Sequence, residues 1–454
     1  MQQRPLVTDQ KLWKSFFLFL LPLIATNILQ NLSMTINTVF VGQLLGVHAV
    51  AAVAVFFPII FCLLSFMIGL SSGASVLVGQ AWGAGNLETV RRAVGSTVFM
   101  TIISGIIIAI LGLTFTHPLL RLLGVAPDVS HLAEPYIRSM LIGSPLLFLY
   151  IVYTSLLRGV GDSFTPLLSL AITSLLGLFI TPALIKGYFG LPQLGIISPA
   201  IASIIGNLAI LLFLGFYLNK KQHPLRPNKA LFKEIRHHAQ LSTTILKLGV
   251  PTGIQMITAS VAGLVVIRLV NSFGADATAA YGALNQVINY IQFPAFSIAI
   301  AASIFGAQAI GAGKAELLSK VTKTALLMNL AITGSLVLLA YLFSRYLMNL
   351  FITDPNVVAL GQKLLFTILW AILFLGINAI FASIMRASGT VTPPMLINIA
   401  TIFIIEVPCA YLFSHFWGLQ GIWFAYALSF VSLSLFQFSY YQFVWKKKAI
   451  RKLV

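Results

Sequence analysis

The sequence predicts an all-α integral membrane protein, with twelve transmembrane helices in two six-helix lobes related by a pseudo-two-fold axis. Three observations predict it: a composition too apolar for water, a series of apolar runs of bilayer length, and a repeat that halves the chain. Of 454 residues, 59% are hydrophobic and 8% charged, with a mean hydropathy of +0.97. A soluble domain carries roughly 25% charged residues, so this chain lacks the polar surface to cover itself in water. The same composition excludes disorder. Cys62 and Cys409 are the only cysteines. Both lie in apolar runs and read as small buried hydrophobes, which excludes a disulfide-stapled module.

A helix needs roughly 20 apolar residues to cross the hydrocarbon core. Twelve such runs follow one another, at approximately 14–43, 49–80, 93–116, 136–157, 164–187, 194–219, 242–272, 278–308, 320–343, 361–384, 394–415 and 420–445. They are apolar on nearly all sides, unlike the alternating strands of membrane barrels. The first run is not a cleaved signal peptide. It continues through Pro22 to Asn27 and Asn31, with no short apolar core ending at a small-residue site. The sequon Asn31-Leu32-Ser33 lies inside that span and is discounted as a glycosylation site.

The net charge of +18 finds its meaning in placement. With the N-terminus cytoplasmic and the spans alternating, 22 Lys and Arg residues fall on the cytoplasmic side and 6 outside. That is the orientation bias of membrane proteins, and it reads as anchoring against anionic lipid rather than as a nucleic-acid site. Both termini and a basic segment, 219–241, are then cytoplasmic in a multi-pass protein of the cell inner membrane.

A shift of 228 residues brings the halves into register. Gln80-Ala81-Trp82-Gly83-Ala84-Gly85 meets Gln308-Ala309-Ile310-Gly311-Ala312-Gly313, and Arg158, Gly161 and Pro166 meet Arg386, Gly389 and Pro394. Gly46 likewise meets Gly274. Chance supplies single matches, not Gly, Pro, Arg and Gln positions together at one offset. Six spans are an even number, so both copies enter the membrane from the same side, as in parallel-repeat transporters. The domains predicted are 1–218, a linker at 219–241, and 242–454.

Two lobes of six spans, a basic central loop and the Gln-Ala-x-Gly-Ala-Gly motif after spans 2 and 8 resemble the multidrug and toxic compound extrusion (MATE) family. So does Arg158-Gly159-Val160-Gly161-Asp162 before span 5. The resemblance covers about residues 12–445. It implies a secondary antiporter, not an enzyme, exporting amphipathic, cationic compounds in exchange for H⁺ or Na⁺, with no other cofactor and acting as a monomer. Many members carry an acid on span 1 in an Asp-Thr step, where this sequence has Asn37-Thr38. Many also carry a carboxylate midway along span 7, where Ala259 or Ser260 stands.

Polar side chains in a span are costly against lipid and are expected to point inward. On span 1, Asn27, Gln30, Asn31, Asn37 and Thr38 share about a third of the helix circumference. They line a cavity or bond to neighbouring helices. On span 8, Asn285, Asn289 and Gln292 form one stripe flanked by Tyr290. With Gln255, Asn378 and Asn398 they make the second lobe the polar, substrate-lining wall. At the 228 shift, the stripe meets Phe57, Phe61 and Leu64 in the first lobe. Glu406 is the one carboxylate at mid-membrane depth. An ionised carboxylate there costs several kcal/mol, so Glu406 is the expected coupling residue; should it not couple, the role falls on polar, non-titrating groups such as Asn37 on span 1. The alternative is a permanently protonated Glu bonded to a neighbouring span. Pro22 frees a carbonyl and kinks span 1, either as a hinge or as a fixed bend.

Gly69-Leu70-Ser71-Ser72-Gly73 matches the G-x-S-x-G pattern but sits mid-span, not on a strand-to-helix elbow. Small residues at that spacing serve close helix packing instead. No metal-ligand spacing occurs. A flippase for a lipid-linked precursor is the competing function. It calls for cavity cations to hold a pyrophosphate, and Arg268 near a span end is the sole candidate.

Overall fold

The structure is a computed structural model that describes residues 12–122, 125 and 127–454. The described residues are helical or in short connections. In chain order the spans are α1 (Leu12–Leu45), α2 (Phe57–Gly83, preceded by a short helix Val47–Ala54), α3 (Leu87–Leu122), α4 (Val129–Ile142 and Ser144–Gly159), α5 (Phe164–Lys186) and α6 (Ser198–Lys220). The second half gives α7 (Ala239–Asn271), α8 (Ala275–Gly311), α9 (Leu317–Leu342), α10 (Pro355–Ala387), α11 (Thr392–Trp417) and α12 (Leu419–Phe443). Eleven of these are single helices long and apolar enough to cross a bilayer. The twelfth is α4, broken by a 49° bend. The bend falls at Gly143, ahead of Pro145, which cannot continue the helical hydrogen-bond ladder behind it.

The repeated glycines have a backbone reason. Gly46 and Gly274, Gly85 and Gly313, and Gly161 and Gly389 all hold positive φ, between 70° and 101°. Each ends or begins a span in the left-handed region, where a Cβ is strained. The register of the two halves is thus written in their turns.

By their contacts the residues group into two compact units: Ala25–Val250, and Pro251–Val454 together with residues 12–24. One boundary falls inside α1, just after Pro22, and the other inside α7 at Pro251. The sequence gives no composition change at either place, because each helix runs on through it.

In the unit Ala25–Val250, backbones approach closely at glycines. A Cβ on Gly73 would lie 2.7 Å from the Ile245 carbonyl oxygen, and one on Gly249 would lie 2.8 Å from that of Gly69. The Gly69–Gly73 pattern is therefore a packing groove for the first part of α7. Cys62 is exposed rather than buried, and Cys409 is half-buried. On a membrane helix an apolar residue is as stable facing lipid as facing protein, so hydropathy does not sort the two.

The segment after α6 is a strap fastened to its own unit. The Tyr153 hydroxyl donates to the Leu225 carbonyl. His223 is buried, accepts the Leu225 N–H at Nδ1 (3.1 Å) and places Nε2 3.6 Å from Asp162 Oδ2. Asp162 also caps α5 through the Thr165 N–H (2.9 Å). Asn228 caps a short helix, Lys229–Lys233, by accepting the Leu231 N–H. Beyond it, Ser242 Oγ lies 2.8 Å from Ser96 Oγ on α3 and 3.2 Å from His237 Nδ1. Burial pushes the His223 pKa down to about 4, against the pull of Asp162 and with the help of Lys221. His223 is thus neutral when folded, while the unfolded chain binds a proton below about 6.5. Its contribution to stability is full above that pH and drains away as pH falls towards 4. The midpoint of thermal unfolding should fall over this window, and His223→Gln should flatten the fall. An equal fall in the variant would assign it to another group.

In the other unit, α8 is the most enclosed helix, and Phe305 on it packs against Phe16 and Phe19 of α1, with ring centroids 5.0 and 5.8 Å apart. The C-terminal tail folds back. Trp445 Nε1–H donates to Ser388 Oγ (2.9 Å), and the Leu453 side chain covers Gly389. Two spans carry a π-turn, Asn329–Thr333 in α9 and Ile402–Glu406 in α11.

Candidate transport sites within the two units

The unit Ala25–Val250 holds a cavity of about 580 Å³ bounded by α1, α4, α5 and α6. Leu29, Ser33, Asn37 and Phe40 face it from α1, Leu147 from α4, and Ala202 and Ser203 from α6. The α5 wall is Thr173, Gly177 and Thr181 at i, i+4 and i+8, with Ser174 beside them. Ser33 Oγ donates to the Leu29 carbonyl (2.8 Å) and lies 2.6 Å from Ser174 Oγ, whose hydroxyl closes the link between the two helices. Thr173 Oγ1 donates to the Ser169 carbonyl (2.8 Å). No lining residue is charged. The surface is apolar, with hydroxyls and one amide set into it, the make-up of a site for amphipathic small molecules.

Of the residues expected from the sequence, Asn37 lies on this cavity and is exposed to it. Asn27 is half-buried and Gln30 exposed on the same helix, and neither lines the cavity. Pro22 lies outside the unit that holds the cavity. Ser174, Thr173 and Thr181 were not among the expected residues. Their signal was the small-and-hydroxyl stripe at helical spacing on span 5.

In the unit that contains Pro251–Val454, the stripe on α8 is an accessible face: Asn289 and Tyr290 are exposed, and Asn285 and Gln292 half-buried. Asn285 Nδ2 donates to the Tyr281 carbonyl of its own helix (3.1 Å). Gln255 on α7 is half-buried. Asn378 and Asn398 are placed differently from a lining wall: both are buried within the packing of α10 and α11, and the Oδ1 of each has no hydrogen-bond partner.

Glu406 is the one carboxylate buried among the described residues, at 8% exposure. It ends the π-turn of α11, in which the Val407 N–H reaches back to the Ile402 carbonyl. Pro408 brings no N–H to the next position, so the ladder is interrupted beside the carboxylate. Ser429 Oγ of α12 donates to Glu406 Oε2 at 2.9 Å. Tyr426, one turn earlier on α12, and Tyr281 of α8 pack against the same apolar cluster. Trp423 stacks within 5.6 Å of both tyrosines, its Nε1 without a partner. Among the described residues no three His, Cys, Asp or Glu side chains gather as metal ligands. A buried carboxylate, one hydroxyl donor and an interrupted helical ladder thus meet at one place in this unit.

The sequence profile of the MatE family matches the chain twice, at residues 22–183 and 251–412, one match in each half. The chain belongs to the MatE family. It is 42% identical to a probable multidrug resistance protein of Bacillus subtilis, YoeA, over 100% of this chain and 99% of that one. It is 26% identical to the probable multidrug resistance protein NorM of Thermotoga maritima, over 95% and 92%. The fold is that of solved MATE transporters. A mutant of the Vibrio cholerae MATE transporter VcmN superposes with a TM-score of 0.88 at 21% identity, covering 96% of this chain and 98% of that one. As a MATE chain it is a multi-pass membrane transporter of small molecules and not an enzyme, and the double match is the duplication read from the 228-residue shift.

Proposed function

We propose that this MATE transporter is a multidrug efflux antiporter that exports amphipathic, cationic compounds in exchange for H⁺ or Na⁺. It works as a monomer in the inner membrane, with both termini and the strap on the cytoplasmic side. The observation that carries the reading is the uncharged cavity of about 580 Å³, a size and lining suited to drug-like molecules. Apolar area supplies most of the binding there, and the hydroxyls and Asn37 orient polar groups. Phe40 offers a π-face to a cation. Tolerance of many substrates follows, since no fixed charge demands one head-group position. The multidrug names of the relatives from B. subtilis and T. maritima point the same way.

Glu406 is assigned the coupling ion, and Asn37, in the cavity-bearing unit, is the non-titrating group to which that role falls if Glu406 does not couple. Pro22 is assigned the place where α1 changes shape. The exposed α8 stripe around Asn289 is a second polar surface for substrate, and Gln255 extends it.

The test is Gly177→Leu. A Cβ at Gly177 meets nothing within 4 Å, so the new side chain enters the cavity without displacing a neighbour. Export of bulky dyes from cells or proteoliposomes should fall at least tenfold, with protein yield and thermal stability kept. Export of the same dyes at the wild-type rate would remove the cavity from the substrate path.

A further inference from the structure

The strap covers a second, smaller cavity that the transport reading leaves unused. It measures about 230 Å³ and lies between α3, α4, α6 and the strap, within the unit Ala25–Val250. Val98, Leu149, Leu214 and Gly215 form its floor, and Leu231 and Phe232 of the short strap helix form its roof. The one hydroxyl at its edge, that of Tyr153, is engaged with the Leu225 carbonyl. The wall therefore offers a ligand apolar contact and little else.

The rim is the opposite. Residues 219–241 carry Lys220, Lys221, Arg226, Lys229, Lys233 and Arg236 against one acid, Glu234. Glu234 is already taken by His238 (3.0 Å) and Arg236 (4.0 Å). Lys229 and Lys233 are exposed and Arg226 half-buried, and none of the three is in an ion pair. The strap helix thus turns Leu231 inward while its two lysines stand at either end of the roof. Phe232 is 61% exposed beside them. An apolar slot at the end of a span, roofed by unpaired cations, complements a molecule with a hydrocarbon chain and an anionic head.

We propose that this cavity and the strap above it form a binding site for one anionic phospholipid, with an acyl chain in the slot and the phosphate against Arg226, Lys229 and Lys233. The bilayer supplies the occupant, because the floor of the slot is built from α3, α4 and α6, which are long and apolar enough to cross it. A polybasic segment next to a membrane surface already favours anionic lipid. What the cavity adds is a fixed seat, since burying each methylene holds the same molecule that the cations select. The strap is pinned on both sides of the slot, by Tyr153 before it and by Ser96 and Ser242 after it. A bound lipid therefore completes a preformed wall and does not have to order a loop. This site is independent of the substrate cavity and of Glu406.

The test needs no transport assay. Phe232→Trp places a fluorophore on the roof, and its added emission is read in nanodiscs containing brominated phosphatidylglycerol or brominated phosphatidylcholine at equal mole fraction. Quenching by the anionic lipid should be several-fold stronger. The combined Arg226→Gln, Lys229→Gln and Lys233→Gln variant should remove the difference. Gly215→Leu, which fills the slot from α6, should lower quenching by both lipids while helicity and thermal unfolding stay unchanged. Equal quenching by the two lipids would overturn the proposal, as would a preference that survives loss of the three charges. Absence of quenching by either lipid would show that protein covers the slot, and would overturn it as well. Unchanged quenching in Gly215→Leu would exclude the acyl chain from the cavity.

Discussion

Glu406→Gln is expected to abolish export driven by an imposed H⁺ or Na⁺ gradient while leaving the protein folded and able to bind substrate. Gln has the same shape and keeps an oxygen to accept the Ser429 hydroxyl, now 2.9 Å away. What it loses is the ability to exchange a unit charge. In the proposed cycle an ionised carboxylate at that depth, which costs several kcal/mol, holds a cation while the site is closed and releases it when the site opens. That alternation links ion flow to the transport cycle. In proteoliposomes, uphill accumulation should vanish, and substrate binding in detergent should stay within about fivefold, because replacing one hydrogen bond by another in a group of equal size changes a free energy by about 1 kcal/mol. Gradient-driven transport at the wild-type rate would show that Glu406 is a fixed structural partner of Ser429. The coupling role would then pass to the non-titrating Asn37, which favours Na⁺ over H⁺.

Gly95→Val is expected to be the most damaging substitution for the fold of the unit Ala25–Val250. A Cβ at Gly95 would lie 2.1 Å from the Glu234 carbonyl oxygen and 2.4 Å from its carbon. The obstacle is backbone, not a side chain that can swing away. Either α3 shifts or the strap lifts, and overpacking of this kind costs about 1–3 kcal/mol, occasionally more. Lifting the strap would also separate the buried Ser96 and Ser242 hydroxyls. Differential scanning fluorimetry should show a thermal midpoint lower by several degrees, and limited proteolysis should cut between residues 226 and 238 far faster than in wild type. A variant with unchanged midpoint and cleavage would show that the strap is not clamped against α3.

The membrane fold was legible because its signals are long and redundant. Each span is an apolar run set by bilayer thickness, and the halves repeat Gly46, Gly85 and Gly161 at positions where the backbone demands positive φ. The burial of Glu406 was legible because a lone carboxylate in a long apolar run stands out. The cavity bounded by α1, α4, α5 and α6 was not. Ser33, Thr173 and Ser174 are mild residues that bond readily to their own helix, so no single one marks a site. Asn378 and Asn398 look like wall residues, yet they are enclosed, because in a bundle an amide faces a neighbouring helix as readily as it faces a cavity. The interruption at Glu406 needs the π-turn as well as Pro408, and the turn has no sequence signature of its own. Neither unit boundary coincides with a chain break, which periodicity cannot register.

The strap and the C-terminal tail are counterparts. At the 228-residue shift, Tyr217 meets Trp445, Lys220 meets Lys448 and Leu225 meets Leu453. Leu225 is fastened through Tyr153 near the Arg158–Asp162 turn, and Leu453 lies on Gly389 of the equivalent turn. The connection after α6 and the tail after α12 are thus each held within its own half against equivalent places, one beside the turn that follows α4 and the other on the turn that follows α10.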